Sequence, residues 1–130
     1  MSAPDNVTVS SVGQINDNAD DATADITAVT TSLTAGTGIG AANGSVDLSV
    51  PTVTLATTGT GGINLNSLVA ATFTDVNTTG AGAITVTGAG ATTFTSVSSN
   101  SGSISLSVDS GDLTATSVTA AGAGNDVSLT

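Results

Sequence analysis

Aspartate is the only acidic residue in this 130-residue chain, which has no lysine, arginine, histidine, cysteine or tyrosine, so its chemistry must come from carboxylates and hydroxyls. The densest carboxylate group is Asn16-Asp17-Asn18-Ala19-Asp20-Asp21, with Asp25 close behind. Calcium takes roughly six to eight oxygen ligands, and closely spaced Asp and Asn side chains can supply several. Asp17, Asp20, Asp21 and Asp25 are therefore the candidate metal ligands. Their spacing is not that of an EF-hand loop, because no glycine stands at the sixth position and the chain has no Glu. Nor is it the Gly-Gly-x-Gly-x-Asp repeat. Composition favours a solvated acidic loop that keeps a long β surface soluble. Calcium is the one cofactor these residues suggest, and nothing else in the chain calls for one.

Catalysis finds little to work with. Asp109 and Asp112 lie in Asp109-Ser110-Gly111-Asp112 and form the one other close carboxylate pair. Eliminative cleavage of polysaccharides needs a base such as Lys or Arg, and hydrolysis pairs carboxylates with cationic or histidine helpers. A serine nucleophile would have no His or Lys to activate it. Asp and Gly at this spacing are ordinary turn residues. The expectation is a protein that is not an enzyme.

Hydroxyls offer the sharper pattern. Thr72/Thr74, Thr93/Thr95 and Thr114/Thr116 flank Phe73, Phe94 and Ala115, and Thr52/Thr54 extends the set. If each central residue points inward, both threonines point outward. Stacked strands would then place threonines roughly 7 Å apart along a strand and about 4.8 Å apart between strands. Such an array resembles the faces of β-solenoid ice-binding proteins. The plain alternative is that Thr suits exposed strand faces and makes cross-strand contacts with Thr above and below.

These threonines sit inside a repeat. Ile63-Asn64-Leu65 precedes Thr72-Phe73-Thr74-Asp75-Val76, Ile84-Thr85-Val86 precedes Thr93-Phe94-Thr95-Ser96-Val97, and Ile104-Ser105-Leu106 precedes Thr114-Ala115-Thr116-Ser117-Val118. Phe73 and Phe94 are 21 positions apart, as are Val76 and Val97, and Val97 and Val118. A period of about 20 residues built from alternating strands marks a stacked solenoid. The expected fold is all-β, a parallel β-helix with coils of about 20–21 residues.

Two ladders follow. One runs through Val46/Leu48, Ile63/Leu65, Ile84/Val86, Ile104/Leu106 and Val127/Leu129. The other runs through Val9/Val12, Ile26/Val29, Val53/Leu55, Phe73/Val76, Phe94/Val97 and Ala115/Val118. Gly80, Gly82, Gly88, Gly90 and Gly111 fall at the bends between them. The domain reading is a single solenoid segment over 1–130: irregular coils with the acidic loop in 1–43, and regular coils in 44–130. Thr34 to Asn43 reads as a longer loop or an irregular coil. Val127-Ser128-Leu129-Thr130 reads as the opening strand of a further repeat, so the chain reads as a length of a longer array or as a unit that stacks end to end on itself.

A formal charge of −10 repels phosphate backbones and anionic lipid, so nucleic acid is a poor partner. No stretch is long and apolar enough for a membrane-spanning helix. Met1-Ser2-Ala3-Pro4-Asp5 lacks the basic start and apolar run of a signal peptide. With no Lys or Arg, the chain offers no trypsin site.

The Gly62-Ile63-Asn64-Leu65 and Gly102-Ser103-Ile104-Ser105-Leu106 openings, each followed by a second strand, resemble the repeats of filamentous-haemagglutinin-like bacterial surface adhesins. They are also similar to the strand repeats of giant bacterial surface proteins. The resemblance covers residues 44–130 well and 5–43 loosely. It implies a right-handed β-helix shaft, secreted and displayed at the cell surface, structural or adhesive in role, with host-surface or matrix glycans as partners. The alternative function is a ligand-binding solenoid that takes calcium, a glycan or ice.

Overall fold

A computed structural model describes residues 1–17, 21–40 and 44–130. The chain is a β-solenoid of about six turns with about 21 residues per turn, and it contains no helix among the described residues. Its strands are β1 (Asn6–Ser11), β2 (Gln14–Ile15), β3 (Ile26–Thr27), β4 (Thr30–Ala35), β5 (Gly38–Ile39), β6 (Val46–Ser49) and β7 (Thr52–Thr58). They continue with β8 (Ile63–Ser67), β9 (Ala71–Thr78), β10 (Ile84–Gly88), β11 (Thr92–Ser99), β12 (Ile104–Val108), β13 (Leu113–Ala120) and β14 (Val127–Leu129).

Two parallel sheets result. The first is stacked β1-β4-β7-β9-β11-β13, one strand from each coil. The second runs β2-β5-β8-β10-β12-β14, with β6 also pairing β8 and β3 pairing β6. From β8 onward the pattern is regular: Ile63, Ile84, Ile104 and Val127 stand in register, as do Leu65, Val86, Leu106 and Leu129. Alternating side chains on each strand point to opposite faces, so these files form apolar columns inside the coil. Across the core, the first sheet stacks Val53, Phe73, Phe94 and Ala115 in one column, and Ala56, Val76, Val97 and Val118 in the next. Phe73 and Val76 are both buried although two residues separate them, which puts Thr74 and Asp75 together on the outside of the bend.

The early coils differ from the expected ladders in a definite way. Val46 pairs with Leu65 and Leu48 with Ser67, while Ile63 stacks on Ile39. Ile26 belongs to the second sheet, paired with Leu48, and not to the first. Val12 and Val29 are exposed, and the residues stacked beneath Val53 and Ala56 are Thr31 and Leu33, with Val7 and Val9 beneath those. Leu55 is half-buried opposite Ser32, where the register shifts by a residue. The cause is shared by two consecutive coils. In two excursions, the described residues 16–17 and 21–25, then 40 and 44–45, lie off the second sheet, whose strands there are the short pieces β2 and β3, then β5 and β6. Thr34 and Ala35, expected to open a long loop, still belong to β4, and Gly38–Ile39 forms β5. Gly40 begins the second excursion at φ +63, beneath the Asn64 carbonyl, where a Cβ would lie 2.2 Å from that oxygen.

Polar residues line one inner corner. Ala35, Thr58, Thr78, Ser99 and Ala120 form a file at the end of the first sheet. Thr58 donates to the Gly61 carbonyl, Thr78 to Gly82 O at 3.1 Å, and Ser99 to Gly82 O at 2.9 Å. The hydroxyls thus satisfy turn carbonyls that the ladder does not reach, which makes their burial affordable.

Candidate functional site

Of the acidic stretch proposed for calcium, the described residues 16–17 and 21–25 belong to the first excursion, between β2 and β3. Asp17 is buried, Asp21 is exposed and Asp25 is half-buried; Asp20 lies outside the described residues. Asp21 Oδ1 accepts the Thr23 N–H at 2.8 Å, closing a tight local turn. Asp25 pairs with the next coil: its N–H donates to the Asp47 carbonyl at 2.8 Å, and its Oδ2 accepts the Asp47 N–H at 2.8 Å. Among the described residues, no group of acidic side chains is gathered in a way that could hold a metal ion.

Asp47 stands against Asp25, and the sequence reading missed it. Strand alternation places it outward between Val46 and Leu48, yet only 2% of it is exposed. Its Oδ1 accepts from Asn66 Nδ2 at 3.0 Å and from Ser45 Oγ at 3.2 Å. Burial raises the Asp25 pKa above its ordinary value, with smaller contributions from the like charges of Asp17, Asp47 and Asp21. The hydrogen bond from the Asp47 backbone works in the opposite direction without cancelling these. The chain has no cationic side chain, and the N-terminal ammonium donates to the Asp25 carbonyl.

Asp109 and Asp112 are both exposed in the turn from β12 to β13. Their backbones carry inter-coil bonds, Asp109 N–H to Gly88 O at 2.8 Å and Thr92 N–H to Asp112 O at 3.0 Å.

The threonine face has the regular form that its spacing implied. Thr30, Thr52, Thr72, Thr93 and Thr114 stand in one unbroken register file on the outside of the first sheet. Thr54, Thr74, Thr95 and Thr116 follow on the far side of the inward column, and all of them are exposed. Thr54 donates to the Thr31 carbonyl at 3.1 Å, and Thr30 donates to Asn6 Oδ1. The hydroxyls of Thr72, Thr74, Thr93, Thr95, Thr114 and Thr116 make no hydrogen bond to any described residue. Other threonines of the same sheet are committed: Thr57 to Asn77, Thr58 to Gly61, Thr78 to Gly82 and Thr79 to Gly59. Beside the array runs a shallow open groove lined by Asp75, Asn77, Ser98, Asn100 and Thr119, with no aromatic side chain in it.

Compared with protein-family models, with curated proteins and with solved structures, the chain finds no match.

Proposed function

We propose that this chain is a structural segment of an extracellular β-solenoid shaft, of the kind that bacterial surface adhesins and fibres use to hold a binding surface away from the cell. The observation that carries this reading is the identical register of β8, β10, β12 and β14, in which each coil repeats the contacts of the last. Parallel ladders run along the long axis, and the apolar columns resist unwinding because each coil buries the face of its neighbour. Chemistry-bearing residues are few, and the close carboxylate pair Asp109 and Asp112 serves a turn. The acidic, trypsin-resistant surface suits a protein that works outside the cell.

In this role the partners are other coils, at the open edges of β13 and β14, and neutral host-surface or matrix glycans along the outside. Val127 and Leu129 are about half-exposed at that edge, 45% and 50% respectively. Unpaired strand edges are templates for further pairing.

Coil duplication tests the proposal. Residues 84–103 span one repeat, so inserting extra copies of that block adds coils in the same register. A shaft segment accepts them: circular dichroism stays β, stability holds or rises, and electron microscopy shows particles lengthening by about 4.8 Å per coil. Variants that aggregate or lose structure with the first added copy would overturn the shaft reading.

A further inference from the structure

We infer that this chain polymerises head to tail, the last coil of one copy receiving the first coil of the next so that the solenoid continues across the junction. The inference rests on the shaft reading above and names the partner at its open edges as a second copy of this chain. Backbone register carries it. Ser2 bridges Thr27, so Met1 stands beneath Ile26, at the foot of the file Ile26, Leu48, Ser67, Gly88 and Val108. At the other end, β14 pairs with β12 from Ile104 to Leu106, and the Val108 N–H donates to the Thr130 carbonyl at 3.0 Å. Val108 is therefore the first β12 position with no residue above it, and it closes the very file that Met1 opens. Seated there, residues 1–3 of a second copy complete the strand that β14 begins. The slanted parallel pattern then brings the Ser2 N–H to the Val108 carbonyl.

The rest of the coil follows in step. Asn6 follows Met1 by five positions, as Thr72 follows Ser67 and Thr93 follows Gly88, so β1 of the second copy lies over β13 with Asn6 above Thr114. Val9 then extends the column that ends in Val118. Ile15 extends the column that ends in Val127. Val7 and Val9 are two positions apart where Ala115 and Val118 are three, a mismatch that β4 and β7 already absorb in their register shift. The apolar surface matches too: Val127 and Leu129 are about half-exposed on the upper face, and Ala3, Val9 and Ile15 are half-buried on the lower. The junction also brings the Thr130 carboxylate toward the Met1 ammonium, the one cationic group of the chain. Because the two faces differ, the contact is heterologous, and stacking along one axis gives an open filament and not a closed ring. Opposing it is the formal charge of −10 on every copy, so salt strengthens the assembly.

The test uses the whole chain. Purified protein is followed by sedimentation and electron microscopy as its concentration rises, at about 0.01 M and about 1 M salt, between which the screening length falls from roughly 30 Å to about 3 Å. Filaments are expected, longer in high salt, with a rise per copy of about 29 Å from about six coils at roughly 4.8 Å. Val127→Asp/Leu129→Asp spoils the upper face and Ile15→Asp the lower, and each variant alone is expected to stay a single particle. Mixed together, the two are expected to form dimers and nothing longer, because one intact upper face meets one intact lower face. Circular dichroism establishes that each variant retains its strands, and a small folded domain fused ahead of Met1 blocks the lower face if Ile15→Asp does not fold. Filaments of a folded upper-face variant overturn the inference, as does a mixture that yields filaments or no dimers. A parent that stays single at both salt concentrations also overturns it, and if that parent still accepts duplicated coils, the shaft reading stands without it.

Discussion

The rings of Phe73 and Phe94 lie 5.2 Å apart between centroids and 17° from coplanar, stacked one coil above the other. They fill the column between Val53 below and Ala115 above, and neither ring is exposed. The repeat brings like over like, so a side chain chosen once for its coil is packed against its own copy. Offset aromatic pairs of this kind add about 0.5–1.5 kcal/mol beyond their buried area.

Phe94→Ala removes both the ring stack and the largest volume in the upper core. Its expected cost is about 3–5 kcal/mol, as for large-to-small changes in a packed interior. Val118→Ala, at a half-buried position of the last first-sheet strand, is expected to cost less. Urea denaturation of both variants checks the ranking. Equal costs would show that the aromatic pair does not anchor the core.

From Ile63 onward, the fold was legible because most strands are long enough to show alternation and the first-sheet strands recur every 21 residues. The first coils hid it. Strands of two residues, such as Gln14–Ile15 and Ile26–Thr27, are too short to display a period, and exposed Val12 and Val29 imitate ladder residues. Asp47 was missed for a related reason. Alternation alone says that it faces water, and only the Asp25 segment paired against it explains its burial. The outward threonines were readable because they flank a residue that is unmistakably core, whereas Thr78 and Ser99 look like surface residues until the corner turn is placed over them.

Thr78 and Ser99 form one coupled unit. Both approach Gly82 O, and their own oxygens are 3.2 Å apart. Ser99→Ala is expected to cost about 1 kcal/mol, since Thr78 still serves the carbonyl. Combined with Thr78→Val, it leaves that carbonyl without a hydroxyl donor, and the double variant is expected to lose more than the two singles together. A coupling energy of about 0.5 kcal/mol or more in a double-mutant cycle is the expected readout. Simple additivity would mean that the two hydroxyls act separately.

Close coil stacking depends on glycine at one file of turns. A Cβ on Gly82 would lie 2.3 Å from Gly61 O and 2.5 Å from the carbon of the same carbonyl. Backbone cannot yield there without separating the coils, so Gly82→Ala is expected to cost about 3 kcal/mol or more. Gly13→Ala meets nothing nearer than Ser11 Oγ at 3.8 Å. That change is expected to be neutral or to stabilise by up to about 1 kcal/mol, through a less flexible unfolded chain. Thermal melting of the two variants distinguishes a packing requirement from a general need for flexible turns.

The acidic excursion makes stability depend on pH in an unusual direction. Most paired carboxylates have lowered pKa values and weaken a fold when protonated, whereas burial and the like charges of Asp17, Asp47 and Asp21 raise that of Asp25. The folded chain therefore binds a proton at Asp25 more readily than the unfolded chain does. Stability from this group rises as pH falls through the raised value, and the change is complete below the ordinary value of 3.8. Asp25→Asn keeps an oxygen that can accept the Asp47 N–H while removing the charge. At neutral pH the variant is expected to melt above the parent, and the advantage is expected to shrink toward zero as pH falls below 3.8. Melting curves of both proteins across that range check the sign. A variant less stable than the parent at neutral pH would show that the carboxylate form of Asp25 is needed to hold the excursion against the second coil.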